Sequence, residues 1–473
     1  MFINGEWITG RPEFSVTNPA TGEVIGKVPD CTDQDIEAAI TAADYAFREW
    51  KKTTAYQRSQ LIYRAWELMI RQKRQLAELM TLEQGKPLKA SLNEVQYGAD
   101  FLLWFAEEAK RIYGQTIPSA RENQRFLVHK SPVGVVGAIT PWNYPISMIT
   151  RKLAPALAAG CTVILKPAES TPLCAKAMIE IFEEAGFPSG VINLITVQNP
   201  ARVGRAFCTD PRIRKLTFTG STPVGRELNG LAAANMKRVS MELGGHAPAI
   251  VFPDADPVHA AKGLSLVKFL NTGQACISPN RIFVHEDQVK PFLTELTNRA
   301  RRLVAGNGMH EGTGIGPLIN ELAIQKVDSQ VRDAVARGAK VEIGGQRLTD
   351  GELSDGYFYA PTVLSGVTPA MNIYREETFG PVAPVITYRS EEDVIAMAND
   401  TDYGLAAYIY SNNIAKAMRA FEALDFGIIG INDINPTSAA APFGGMKDSG
   451  LGREGAQQGI EEYLETKLGG LAI

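Results

Sequence analysis

The chain has 473 residues, 45% apolar and 21% charged, with 43 glycines and a formal net charge of −4. That length exceeds one ordinary hydrophobic core and predicts two or three structural units of a globular α/β protein. The slightly acidic balance excludes the basic footprint of a nucleic-acid partner.

The five cysteines, Cys31, Cys161, Cys174, Cys208 and Cys276, form no CxxC and no zinc spacing, and their odd number argues against a disulfide framework. His129, His246, His259, His285 and His310 are scattered, so no metal site is expected. The first residues, Met1-Phe2-Ile3-Asn4-Gly5-Glu6-Trp7, lack the basic start and apolar run of a signal peptide. The most apolar stretch, Leu153 to Leu165, is interrupted by Pro155 and Gly160 and is too short to span a bilayer. A cytoplasmic protein without membrane contact is expected.

After a short strand region, Thr32 with Asp35 has capping-box spacing, and Ile36, Ala39, Ile40 and Ala43 repeat at helical period. Two further amphipathic helices are predicted over Tyr56 to Glu83 and Leu88 to Tyr113, and residues 125–131 alternate as a strand. From Pro132 the texture changes. Strands are predicted at Val133 to Ile139, Thr162 to Leu165, Val191 to Ile195 and Lys215 to Phe218, with helices at about Ile146 to Ala159, Ala175 to Ala185 and Ala201 to Thr209. This alternation reads as a parallel, doubly wound sheet. The rhythm resumes after Glu242, with strands at Ala249 to Phe252, Arg281 to Val284 and Val382 to Tyr388.

No GxGxxG is present; Phe218-Thr219-Gly220-Ser221-Thr222-Pro223-Val224-Gly225 stands in its place. A strand ends there in a Gly-Ser turn, and Pro223 suits the first turn of a helix whose free amides could receive a pyrophosphate. Lys166 and Glu169 follow another strand, where a ribose could be held; Glu169 would repel a 2′-phosphate, favouring NAD over NADP. Alone, the first segment is an ordinary strand-to-helix turn and the second a solvated ion pair.

Met241-Glu242-Leu243-Gly244-Gly245 sets a carboxylate beside a diglycine, and Asn271-Thr272-Gly273-Gln274-Ala275-Cys276 sets a cysteine behind small residues. A thiolate nucleophile and a carboxylate that activates water are the minimum for making and hydrolysing a thioester. They lie too far apart in sequence for one helix or hairpin, so only tertiary structure could join them. His246 invites a Cys–His reading, but nothing protease-like surrounds Cys276. Cys161, Cys174 and Cys208 read as packing.

Together these segments resemble the aldehyde dehydrogenase superfamily. The matches are Pro141-Trp142-Asn143-Tyr144-Pro145, Lys166-Pro167-Ala168-Glu169, Phe218-Thr219-Gly220-Ser221, Glu242-Leu243-Gly244-Gly245, Gly273-Gln274-Ala275-Cys276, Glu376-Glu377-Thr378-Phe379-Gly380-Pro381 and Pro442-Phe443-Gly444-Gly445, in family order across the chain. The resemblance implies that Cys276 attacks an aldehyde as thiolate, that the Asn143 amide and the Cys276 N–H form an oxyanion hole, and that hydride passes to a nicotinamide. Glu242 then activates water against the thioester. It also implies NAD contacts from Thr140, Trp142, Lys166, Glu169, Gly220, Ser221, Gly225, Leu243, Glu377 and Phe379.

Within the superfamily the chain looks most like the succinate-semialdehyde dehydrogenase branch, on Phe105-Ala106-Glu107-Glu108-Ala109-Lys110, Met148-Ile149-Thr150-Arg151-Lys152, Ser240 to Pro248 and Tyr463-Leu464-Glu465-Thr466-Lys467. Such a substrate ends in a carboxylate, for which Arg151 and Arg281 are the candidate fork, completed by Thr437 or Ser438. Tyr144 and Phe443 complete the expected substrate site. Ser278 stands where several branch members carry a second cysteine, so no redox-switching disulfide is expected.

Glutarate semialdehyde or an uncharged hydroxyaldehyde remains an alternative substrate, and a catalytically idle homologue kept as a binding or structural protein is the alternative of another class. The resemblance implies a Rossmann-like NAD-binding domain from residues 1–111 and 133–244, a catalytic α/β domain from 245–448, and an oligomerisation arm and tail from 112–132 and 449–473. A homodimer, or a dimer of dimers, is expected.

Overall fold

Strands that are apolar throughout, such as Val135–Ile139 and Thr162–Lys166, must be covered on both faces. A computed structural model describing residues 1–473 sets them at the centre of an eight-stranded sheet. Its central strands are parallel, in the order Ile192–Leu194, Thr162–Lys166, Val135–Ile139, Ile213–Thr219 and Arg238–Glu242. Successive strands step to one side of Val135–Ile139 and then resume on its other side. Loops leaving the two strands at such a reversal diverge and open a crevice at the carboxyl ends. Here those loops begin at Thr140 and Gly220.

A fully buried helix, Ser147–Ala159, packs on this sheet with Ala55–Arg71 and Leu88–Glu108 around it. The Thr32–Asp35 capping box opens the helix Asp33–Trp50, as its spacing predicts. The long helix expected over Tyr56 to Glu83 is instead two, Ala55–Arg71 and Lys73–Gln84. Gln72 leaves the helical region, at φ −95° and ψ 10°, and caps both. No glycine or proline marks that break in the sequence.

A second sheet of seven strands runs Lys340–Ile343, Thr362–Ser365, Val382–Tyr388, Pro279–His285, Ala247–Val251, Ala406–Tyr410 and Ile428–Ile431, parallel except at the first. The chain passes almost directly from Glu242, ending a strand of the first sheet, to Ala247, starting one of the second. One cleft therefore meets the carboxyl ends of the first sheet and the amino ends of the second. Cys276 precedes Pro279–His285 and Glu377 precedes Val382–Tyr388 at those amino ends.

A separate antiparallel sheet joins Gln115–Pro118, Gln124–Pro132 and Leu464–Ala472, with Leu464 opposite Pro132 and Ala472 opposite Gln124. Its outer strands have open edges, and Leu127, Leu468 and Leu471 are exposed. No helix is long and apolar enough to cross a membrane.

Candidate active site

Cys276 is delivered by an unusual turn. Asn271, Thr272 and Gly273 are successive left-handed residues, at φ 49°, 59° and 74°. Such a conformation is unfavourable for a β-branched threonine, so surrounding contacts must impose it. Gly273 is required, because an added Cβ would run into the Gly380 carbonyl oxygen. Buried hydrogen bonds hold the rest. Gln274 Nε2 donates to the carbonyls of Asn271 and Pro317, both at 3.2 Å, and Gln274 Oε1 accepts from the Ile319 N–H at 2.9 Å. Thr272 Oγ1 donates to the Gly316 carbonyl at 3.0 Å. Burial pushes the Cys276 thiol up to about 12, opposed by the Arg151 charge and reinforced by Glu377 and Glu242.

Asn143, 4% exposed, follows the central strand of the first sheet. Its Nδ2 donates to the Gln274 carbonyl at 3.0 Å, leaving the second amide hydrogen for another acceptor. The Asn143 carbonyl accepts from Asn271 Nδ2 at 2.9 Å and from Lys86 Nζ at 2.7 Å. The side-chain amide is thereby fixed beside the cysteine's own turn.

Glu242 is 3% exposed, and neither of its carboxyl oxygens has a hydrogen-bond partner. Burial, then the like charge of Glu454, pushes its carboxyl well above the usual carboxylate range, against Arg151, Lys152 and Arg453. A carboxyl raised this way holds a proton more readily than an exposed one and is a stronger base once ionised. The diglycine lets the backbone after Glu242 pack against Cys276: a Cβ on Gly245 would strike the Cys276 carbonyl oxygen. Below lies a charged cluster. Lys152 Nζ donates to Glu454 Oε1 at 2.6 Å and to Thr217 Oγ1 at 3.1 Å, and Arg151 is 2.8 Å from Glu454 Oε2. The Arg151 guanidinium lies over the rings of Phe443 and Phe101, at 4.0 and 5.5 Å.

Along the crevice, the helix Thr222–Ala233 starts at Ser221 without a side-chain cap and with proline in its first turn. Its first amides are left for an anion. Gly220 donates its N–H to the Glu242 carbonyl at 3.1 Å, and a Cβ on Gly225 would strike the Leu243 side chain. Buried Lys166 is paired with Glu169, and the Thr140 N–H donates to the Lys166 carbonyl at 3.1 Å. Glu377 Oε1 accepts the Gly245 N–H at 3.0 Å, while burial pushes its carboxyl up. Trp142 and Phe379 meet edge to face at 5.6 Å, Phe379 in the left-handed region at φ 56°. An uncapped helix start, a buried Lys–Glu pair and an edge-to-face aromatic pair are chemically suited to a dinucleotide.

The family profile described as "Aldehyde dehydrogenase family" matches residues 7–468. The chain belongs to that family. Its members use NAD(P), so this aldehyde dehydrogenase is an NAD(P)-dependent oxidoreductase. A mitochondrial succinate-semialdehyde dehydrogenase of Arabidopsis thaliana is 48% identical, over 98% of this chain and 88% of that protein. A glutarate-semialdehyde dehydrogenase of Pseudomonas putida is also 48% identical, over 98% of this chain and 96% of that protein. The crystal structure of an E. coli NADP-dependent enzyme superposes with a TM-score of 0.97 at 46% identity, covering 100% of this chain and 98% of that one.

Not every expected site residue of the aldehyde dehydrogenase reaches the cleft. Arg281 is corrected: its guanidinium donates to the carbonyls of His246 (3.3 and 3.2 Å), Met397 (3.0 Å) and Ala398 (2.8 Å), leaving no fork for a carboxylate. Thr437 Oγ1 donates to Asn435 at 3.1 Å, and exposed Ser438 Oγ accepts from the Ala440 N–H at 3.2 Å, which leaves the Ser438 hydroxyl hydrogen uncommitted. The Tyr144 ring lies under Lys86 Nζ at 4.1 Å. His246 is tied through Nε2 to the Tyr374 carbonyl at 2.8 Å. Sequence reasoning missed Lys86, Glu94, Lys152 and Glu454. No local pattern marks them: Lys86 lies between Gly85 and Pro87, and Glu454 between Arg453 and Gly455.

Proposed function

We propose that this enzyme oxidises a semialdehyde bearing a distal carboxylate, succinate semialdehyde foremost, to the dicarboxylate with NAD, through Cys276. The mechanism is supported by the bond from Asn143 to the Gln274 carbonyl in the Cys276 turn and by the close packing of Gly245, just after Glu242, on the Cys276 carbonyl. Cys276 loses its thiol proton to solvent, and its Sγ bonds to the aldehyde carbon. The resulting oxyanion receives the free Asn143 amide hydrogen and the Cys276 N–H, donors fixed before the charge develops. Bound in the crevice, the nicotinamide supplies the hydride acceptor. Glu242 then removes a proton from the water that attacks the thioester carbon; the C–S bond breaks and the carboxylate leaves. Lys152 and Glu454 supply the buried charge around Glu242.

For the substrate, Arg151 supports a carboxylate: it is 1% exposed, and its Nε has no hydrogen-bond partner, while a terminal nitrogen is paired with Glu454 Oε2 at 2.8 Å. A buried arginine with a free donor favours an anion. The identity to succinate- and glutarate-semialdehyde dehydrogenases points the same way. One observation favours an uncharged aldehyde instead: Arg281 is fully engaged and Arg151 already faces Glu454. The Glu169 carboxylate beside Lys166 supports NAD over NADP by repulsion of a 2′-phosphate. The open edges of the three-stranded sheet support a homodimer or dimer of dimers, and five unpaired thiols a cytoplasmic location.

The test is initial-rate formation of reduced cofactor from succinate semialdehyde, glutarate semialdehyde and an uncharged aldehyde of similar length, each with NAD and NADP. A higher kcat/KM for the carboxylated substrates with NAD is the expected result. Equal or better turnover of the uncharged aldehyde would remove Arg151 from substrate recognition.

A further inference from the structure

We propose that Lys86, held by Glu94, is a positioning residue for the oxyanion hole: it fixes the backbone of Asn143 so that the free side-chain N–H meets the developing charge. The proposal rests on the reading of Asn143 as oxyanion donor. Lys86 and Glu94 are an ion pair with side chains 1% exposed, far from solvent. Such pairs seldom add net stability, because desolvation offsets the attraction, so specificity of geometry is the better account of a buried one.

Each partner reaches the same loop. Lys86 Nζ donates to the Asn143 carbonyl at 2.7 Å and lies 4.1 Å from the centre of the Tyr144 ring. Glu94 Oε1 accepts the N–H groups of Ile146 and Ser147, at 3.1 and 3.2 Å, where the helix carrying Arg151 and Lys152 begins. One ion pair thus grips four successive features: the oxyanion donor, the aromatic residue beside it, and two amides of the following helix start. The backbone around Lys86 is itself packed against the loop at Gly308. A Cβ on Gly308 would sit 2.5 Å from the Lys86 carbonyl oxygen, and the Leu88 N–H donates to the Gly308 carbonyl at 3.0 Å. Asn271 Nδ2, the other donor to the Asn143 carbonyl, comes from the cysteine's turn. With Lys86 removed, Asn143 would be registered only to that turn and not to its own half of the molecule.

The test is a double-mutant cycle on the full-length enzyme with NAD. Lys86→Met combined with Glu94→Gln removes both charges while leaving an acceptor for the Ile146 and Ser147 amides. The expected result is a fall in first-turnover kcat of about ten- to hundredfold, with KM changed less than about threefold. In an Asn143→Ala background the same pair should change kcat less than about twofold. Alkylation of Cys276 by iodoacetamide, which develops no oxyanion, should keep its rate throughout. An equal fall in both backgrounds would show general damage and overturn the proposal, as would native kcat in the charge-free variant. Asn143→Ala with undiminished kcat would instead overturn the oxyanion reading itself. Should the charge-free variant not fold, Glu94→Gln alone loosens Lys86. A kcat loss confined to the Asn143-containing background is then expected, and an additive loss overturns the proposal.

Discussion

Gly444 makes the role of Glu242 separable from that of Cys276. A Cβ built on Gly444 would lie 2.9 Å from Glu242 Oε1, 2.8 Å from the Gly452 carbonyl oxygen and 2.7 Å from Arg453 Cδ, where ordinary contacts begin near 3.4 Å. Something must move by about half an ångström. The Gly452 oxygen is backbone, and Arg453 is tethered through its Nη1 to the carbonyls of Gly445 (2.9 Å) and Gly452 (2.7 Å). Glu242 has no hydrogen bond on either oxygen, so it yields first. A displacement of about 1 Å at a catalytic group costs about a hundredfold, so half of that costs about tenfold, or ~1.4 kcal/mol. Gly444→Ala is therefore expected to lower steady-state kcat about tenfold while leaving the rapid first turnover of NADH formation within about twofold. Overpacking should also reduce stability by about 1–3 kcal/mol. Stopped-flow absorbance against steady-state rates, with a thermal melt as control, reads both effects. A parallel fall in burst rate and kcat, or native kcat in the folded variant, would refute the placement of Glu242 as the base that hydrolyses the thioester.

The kcat profile should lose activity as pH falls through the Glu242 pKa, because the base acts deprotonated, and this limb should lie above the range of an ordinary carboxylate. Glu454→Gln removes a like charge and should move that limb to lower pH; an unmoved limb would separate the two carboxyls. In the cofactor-free enzyme, iodoacetamide alkylation of Cys276 should climb with pH from 6 to 9, about tenfold per unit, because its thiol is pushed up to about 12. Arg151→Met should slow it further, and a plateau below pH 8 would contradict the burial argument. Glu169→Gln should raise kcat/KM with NADP about tenfold or more relative to NAD, and an unchanged ratio would place cofactor selectivity elsewhere.

Features set by nearby residues were the legible ones. The Thr32 capping box, the apolar strands and the glycines at 225, 245 and 273 each state a local requirement, and the parallel sheets followed from their alternation. Arg281 shows the limit of arguing from proximity in sequence. It lies five residues after Cys276, but the last three of those residues belong to an extended strand. At about 3.3 Å per residue with alternating faces, the side chain is carried away from the cleft. The Lys152–Glu454 bond spans 302 positions and the Lys86–Asn143 bond 57, so neither partner bears a local mark of the other. The break at Gln72 is unmarked for a related reason: a backbone angle changes there without a residue type that demands it.

The proposed oxyanion hole is shared between the two halves of the molecule, since Asn143 leaves a strand of one sheet and Cys276 enters a strand of the other. Each sheet has its own buried core, yet neither contains a complete catalyst. Natural selection on turnover therefore acts on the seam, where a change in one half is tolerated only if the other half can follow it. The two halves are in this sense a single heritable unit.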